Sequence, residues 1–198
     1  NCRVEVGVDM DKRKEANMRV KDNITKSLFD LMHKKSFSNI SITELIQTAG
    51  VARVSFYRNY DSKEDVLVKL IDDVLEEYRS EIDWNGPDYY TEQNICRSFA
   101  CFKKYGEFVL DLCEFGYGSI LLEKLNRFHE EIAGNMPNSS MDKYYLYMFI
   151  GALFNTSIVW LQNGAKEDES EITATFCTIC GIFMKKKNCS FPIEEHTV

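Results

Sequence analysis

The stretch from Ser41 to Lys63, SITELIQTAGVARVSFYRNYDSK, restricts what this chain can fold into more than any other. Ile42, Leu45, Ile46 and Ala49 recur at the spacing of one helical face. Ser41 stands three residues before Glu44, the arrangement of a capping box in which each side chain satisfies a free backbone N–H. Gly50 closes that helix, because glycine enters the left-handed region without steric cost. A second helix of about two turns fits Ala52 to Tyr60. Ser62, ahead of Lys63-Glu64-Asp65, opens a third by the same capping logic. Two short helices around a tight turn have the spacing of a helix-turn-helix, whose second helix enters the major groove of DNA.

The residue types on the second helix suit that task. Phe56 anchors it to a core, which leaves Arg53, Ser55, Tyr57, Arg58 and Asn59 on or near the outer side. Arginine and asparagine read base edges; serine and tyrosine hydroxyls bond phosphates. Lys63 adds a cation at a helix N-terminus, where the dipole already favours a phosphate. An ordinary αα-hairpin with an exposed polar face is the competing reading from spacing alone.

The run ITELIQTAGVARVSFYRNYDSKEDVL resembles the DNA-binding signature of the tetracycline-repressor (TetR) family of bacterial transcription regulators. The resemblance rests on the I-T-x-L-I-x-x-A-G-V opening, the S-F-Y-R core and the aromatic-x-S-K-E-D-V-L close at Tyr60 to Leu67, and extends over residues 16–75. It implies that Thr43, Tyr57 and Lys63 hold phosphates, and that Arg53, Ser55, Arg58 and Asn59 lie near bases or backbone. Two positions depart from the family pattern. Ala52 stands where a capping serine is common, which puts one cap and one phosphate contact in doubt. Val54 stands where glycine is common and is suited to a thymine methyl, a change of base preference.

Charge distribution is compatible with this reading. The net charge is −7, yet residues 1–60 carry 11 Lys and Arg against 7 Asp and Glu, and residues 61–198 carry 13 against 24. Phosphate attraction is local, since screening acts over about 8 Å at physiological salt. A basic head on an acidic body fits, as does chance clustering. The seven cysteines, without an export signal, indicate reduced thiols in the cytoplasm. Cys177 and Cys180 have C-x-x-C spacing, but no second pair or spaced histidines accompany them, so they read as small apolar residues rather than a metal site. No metal and no cofactor is expected. No apolar run reaches the ~18 residues that span a bilayer, so no membrane partner is expected either.

The predicted architecture is all-α. Residues 1–11 read as a flexible arm or a non-native remnant. Residues 12–61 form a three-helix helix-turn-helix domain whose first helix runs from about Glu15 to Lys34. Residues 62–83 form a connecting helix of ~30 Å. Trp84-Asn85-Gly86-Pro87-Asp88 breaks it and marks a domain boundary. Residues 84–198 form a helical regulatory domain for ligand binding and dimerisation. Its aromatic supply (Phe99, Phe102, Tyr105, Phe115, Phe128, Tyr145 and Phe149) suits a pocket for a flat or lipophilic effector, with plain core packing the alternative for each. Residues 143–162 are apolar nearly all round, so that helix should bury more than one side. Phe154, Ile158, Leu161, Phe176, Ile179 and Phe183 are the expected dimer interface, two helices from each subunit. F-x-G at Phe149 to Gly151 and W-L-x-x-G at Trp160 to Gly164 also resemble the C-terminal region of a Firmicutes-type TetR subgroup.

The implied function is a homodimeric regulator, a repressor, on a near-palindromic operator, released by a small apolar or aromatic effector. The alternative is a helical dimer of the same fold, with weakened DNA binding, that acts through a protein partner. Catalysis is disfavoured, since the chain has no glycine-rich phosphate loop, H-E-x-x-H motif or nucleophile elbow.

Overall fold

The computed structural model describes residues 2–82, 91–134 and 140–184, with side chains between residues 12 and 180 of those ranges. Among the described residues there are nine α-helices and no strand. They are α1 (Cys2–Met32), α2 (Ile42–Ala49), α3 (Arg53–Asn59), α4 (Lys63–Glu81), α5 (Glu92–Lys104), α6 (Gly106–Glu114), α7 (Gly118–Ala133), α8 (Met141–Gln162) and α9 (Glu169–Met184). A single 3-10 turn, Phe37–Asn39, joins α1 to α2. The chain divides into two compact units, residues 1–73 and 74–198. The division falls inside α4 and not at the Gly86-Pro87 break, which lies outside the described residues. Apolar side chains continue along α4 through Ile71, Leu75 and Tyr78, so each unit takes its share of one unbroken helix.

In the N-terminal unit α1 begins well before the expected Glu15. It continues back to Cys2, so residues 2–11 extend the helix instead of forming an arm. That segment has no proline and one glycine, and nothing in it interrupts a helix. Ile24, Leu28 and Leu31 of α1 are buried, as are Leu45, Phe56, Val66 and Ile71, and α1 packs on α2 and α3. The Ser41 hydroxyl accepts the Glu44 N–H at 3.1 Å. The reciprocal half of the capping box is absent, because the Glu44 carboxylate takes Lys35 Nζ at 2.6 Å instead. Gly50 has φ +63° and ψ 32°, and the Val51 N–H returns to the Ile46 carbonyl, a left-handed helix stop. Ser62 caps α4 through the Asp65 N–H.

The C-terminal unit is built on α5 against α9 and on α6, α7 and α8 against one another. Thr91, Ser140 and Asp168 cap α5, α8 and α9. Phe99, Phe149, Trp160 and Phe176 meet edge-on in its core, with ring centroids 5.5–5.7 Å apart. By length and composition alone α8 could cross a bilayer, contrary to the reading of the apolar runs. Its Leu146, Ile150, Leu153 and Trp160 are buried within the unit, as in the core helix of a globular domain.

Candidate nucleic-acid interface

The outer face of α3 follows from its inner one. Phe56 is fully buried and stacks edge-on with Tyr57 at 5.3 Å. A helix of seven residues anchored by one central phenylalanine leaves its other faces open. Val54 is 70% exposed and Tyr57 47%, and Arg53 and Arg58 are exposed as well. Ser55 is half-buried. Thr43 on α2 is exposed, and its hydroxyl accepts a bond from the Arg53 guanidinium at 2.7 Å. Thr43, Arg53, Val54, Tyr57 and Arg58 are therefore presented on the outside of α2 and α3. Ala52 provides no side-chain cap to α3, as its side chain dictates.

Two residues assigned to this surface face elsewhere. Asn59 exchanges amide bonds with Asn17 of α1, both at 3.0 Å, and donates to the Ser55 carbonyl at 2.9 Å. Its hydrogen-bonding groups fasten α3 to α1 and are not turned toward a base. Lys63 donates from Nζ to the carbonyls of Phe37 at 2.6 Å, Ile40 at 2.8 Å and Ser38 at 3.2 Å, and lies over the Phe37 ring. It neutralises the carbonyl cluster of the 3-10 turn. Sequence spacing could not show this, because both partners lie more than twenty residues away along the chain.

The C-terminal unit holds a cavity of about 430 Å³, counting its open mouth. Of the seven aromatics expected there, Phe102 and Tyr105 line it. Phe99 and Phe149 belong to the aromatic core, with Phe149 bordering a smaller adjoining cavity. Phe128 packs on Tyr78 and His129, while Phe115 and Tyr145 are half-buried elsewhere. The remaining walls come largely from aliphatic residues and from Tyr78, Ser98 and His129, none of which the search for aromatics found. A usable signal existed: Ser98 and His129 occupy core positions of otherwise apolar helical stripes. His129 Nδ1 donates to the Leu125 carbonyl at 2.8 Å, and burial lowers its pKa to about 4. Tyr78 bonds Ser98, and burial raises its phenol pKa. Tyr105 donates to Glu77, which also pairs with Lys104; burial first, then that carboxylate, push the Tyr105 phenol up to about 12.

The expected dimer residues divide as well. Phe154, Leu161 and Phe176 are buried in the core of their own unit, so they are not available as an outer surface. Ile158 is half-buried, Ile179 is 55% exposed, and the Phe183 side chain lies outside the described residues. The exposed large apolar positions of α8 are Met141, Tyr144, Tyr147, Met148 and Val159, and all but Tyr147 fall with Ala152 and Asn155 on one helical stripe. An all-round apolar helix does not reveal which of its sides faces its own unit. The C-x-x-C pair lies half-buried on α9, where burial raises both thiol pKa values. No disulfide and no metal-holding cluster occur among the described residues.

Residues 24–70 match the family model of bacterial regulatory proteins, tetR family. Over 53 residues the chain is 40% identical to the HTH-type transcriptional regulator EthR of Mycolicibacterium smegmatis, a match covering 27% of this chain and 24% of that protein. The chain thus spans about a quarter of the length of the curated relative it matches. The whole fold is similar to the dihydroxyacetone kinase operon activator DhaS, with a TM-score of 0.53 and 18% identity over 84% of this chain and 97% of that one. It is also similar to a TetR transcriptional regulator from Streptococcus agalactiae 2603V, with a TM-score of 0.56 and 16% identity over 84% and 96%.

Proposed function

We propose, on the premise that the chain belongs to the TetR family of bacterial regulatory proteins through residues 24–70, that it is a sequence-specific, DNA-binding transcriptional regulator. The observation that carries this reading is the outer face of α3, where Arg53, Val54, Tyr57 and Arg58 are exposed on a helix held from within by Phe56. In this reading Tyr57 and Thr43 contact phosphates, Arg53, Ser55 and Arg58 lie near base edges or backbone, and Val54 meets a thymine methyl. Asn59 and Lys63 act behind the surface, holding α3 and α4 in position.

The protein works in the cytoplasm as a homodimer on a near-palindromic operator. Two recognition helices enter major grooves one helical turn or more apart. Self-association is supported by the exposed stripe Met141, Tyr144, Met148 and Val159 on α8 together with Ile179 on α9. A small effector in the C-terminal cavity releases the DNA by binding the two states with different affinity. The output is repression; one structural neighbour is named an operon activator, so a reporter gene downstream of the operator reads the sign.

Selection of duplexes from a random pool, followed by salt titration of the winner, tests the reading. A near-palindromic winner with a steep negative salt slope is expected. The absence of any enriched sequence, with weak binding lost at moderate salt, would point to the second reading, a dimer acting through a protein partner. The uncapped Ala52 at the start of α3 is the observation that favours that alternative.

A further inference from the structure

The larger cavity has an uneven chemical composition. Val74, Val109, Leu121 and Leu153 are among the aliphatic side chains that give it walls on four helices. Tyr78, Ser98 and His129 line it too, and the same three border the smaller cavity alongside Asn94. The shared polar groups therefore stand where the two spaces adjoin. Among the described residues, no Asp, Glu, Lys or Arg lines either cavity. Glu77 and Glu81 stand outside the lining, near enough to help raise the pKa of the Cys101 thiol that burial chiefly raises. Glu77 holds Lys104 and the Tyr105 hydroxyl, while Arg79 pairs with Glu131 and lies over the Phe128 ring.

We infer that this cavity takes an uncharged lipophilic molecule whose apolar body lies against Val74, Val109, Leu121 and Leu153 and whose single hydroxyl or amide N–H donates to the acceptors presented by Tyr78, Ser98 and His129. The inference rests on the proposed effector-responsive reading of the C-terminal unit and names the chemical class of that effector. An anionic head would give up its hydration without finding a cation. Burying an ionised group without a partner is among the costliest events in a protein interior. His129 does not supply the missing charge. Its Nδ1–H is given to the Leu125 carbonyl and burial keeps the ring neutral at physiological pH, so Nε2 has acceptor character. An ammonium head meets the same desolvation cost with no carboxylate in the lining. The Ser98 hydroxyl is donated to the Asn94 carbonyl and the Tyr78 hydroxyl to Ser98, so the polar wall presents acceptors, and a neutral hydroxyl can donate to one of them without a counter-charge.

Benzyl alcohol, benzoate and benzylamine form a matched probe set of one body and three charge states at pH 7. Each is titrated calorimetrically into the full chain without DNA. Benzyl alcohol is expected to bind at least tenfold more tightly than either charged analogue. Its binding should vanish in Leu121→Trp, which fills the cavity from α7, and in Val109→Phe, which fills it from α6. His129→Leu should weaken the alcohol severalfold and leave the order of the three probes unchanged. Benzoate or benzylamine binding as tightly as the alcohol would overturn the inference. So would the absence of binding by all three, or alcohol binding that persists in folded forms of both filled variants. The comparison of the three probes on the unaltered chain stands even if neither variant folds. With no DNA present, failure here leaves the DNA-binding reading untouched, and failure of the duplex selection leaves these titrations interpretable.

Discussion

Lys63→Met separates a structural lysine from a phosphate-binding one. The Lys63 ammonium donates to three carbonyls of the 3-10 turn and its flanks, at 2.6, 2.8 and 3.2 Å. Hydrogen bonds to a charged group contribute about 1.5–3 kcal/mol each when formed singly. Three bonds to one half-buried ammonium do not sum, because water reaches the carbonyls once the lysine is gone. Methionine retains much of the stem that packs on Phe37. The net loss is therefore about 2 kcal/mol, taken near the middle of the single-bond range. With a urea slope of about 2 kcal/mol per M, that lowers the unfolding midpoint of the N-terminal unit by about 1 M. Urea denaturation followed by circular dichroism reads this shift. Hydrogen exchange at the Ile40 N–H, which closes the 3-10 turn onto the Phe37 carbonyl, reports on the same site and should speed up. The salt slope of DNA binding should not change. An unchanged midpoint, with a salt slope shallower by about 0.9 per half-site, would refute the assignment and return Lys63 to the phosphate.

Tyr57→Phe should weaken binding severalfold on all duplexes alike, through loss of about 1 kcal/mol for one phosphate hydrogen bond; altered base preference at unchanged affinity, in a repeat of the duplex selection, would contradict the role. Gly50→Ala should cost about 1 kcal/mol from left-handed strain alone, because an added Cβ would meet nothing within 4 Å, and Gly50→Asn should cost less in the same denaturation assay. His129 ionises near 6.5 when unfolded but only near about 4 when folded, so the unfolded chain binds the extra proton between those values. Its contribution to stability is therefore complete above pH 6.5 and falls by about 3 kcal/mol as the pH drops to 4. In His129→Leu the loss of stability over that window should be correspondingly smaller, and equal pH profiles for the two proteins would exclude the assignment.

What the sequence made legible was local. The Ser41 cap, the Gly50 stop and the Phe56 anchor each depend on residues within a few positions of one another, and all three stand where spacing put them. The internal bonds of Asn59 and Lys63 were not legible, because their partners, Asn17 and the carbonyls of the 3-10 turn, are brought close only by packing of the helices. The cavity was sought among aromatics, which largely became core. Its polar wall consists of Ser98 and His129, residues whose type argues against burial, yet whose register within the apolar stripes of α5 and α7 required it. The outer side of α8 was not legible, because Phe154 and Leu161 are as apolar as Met148 and Val159 and only the positions of α5 and α6 decide which pair is covered.

The seven residues of α3 divide their labour with little overlap. Phe56 and the Asn59–Asn17 pair fasten the helix, while Arg53, Val54 and Arg58 are exposed and lie outside the buried core. Random mutation can therefore explore the outer positions without first endangering the fold, as surface substitutions away from special features usually change stability by no more than about 0.5 kcal/mol. A duplicated copy of this gene could acquire a new target by drift at three exposed codons while the hidden ones stay under purifying selection. The same asymmetry offers a route to laboratory redesign, in which a small library at positions 53, 54 and 58 samples new binding preferences and leaves nearly every member folded.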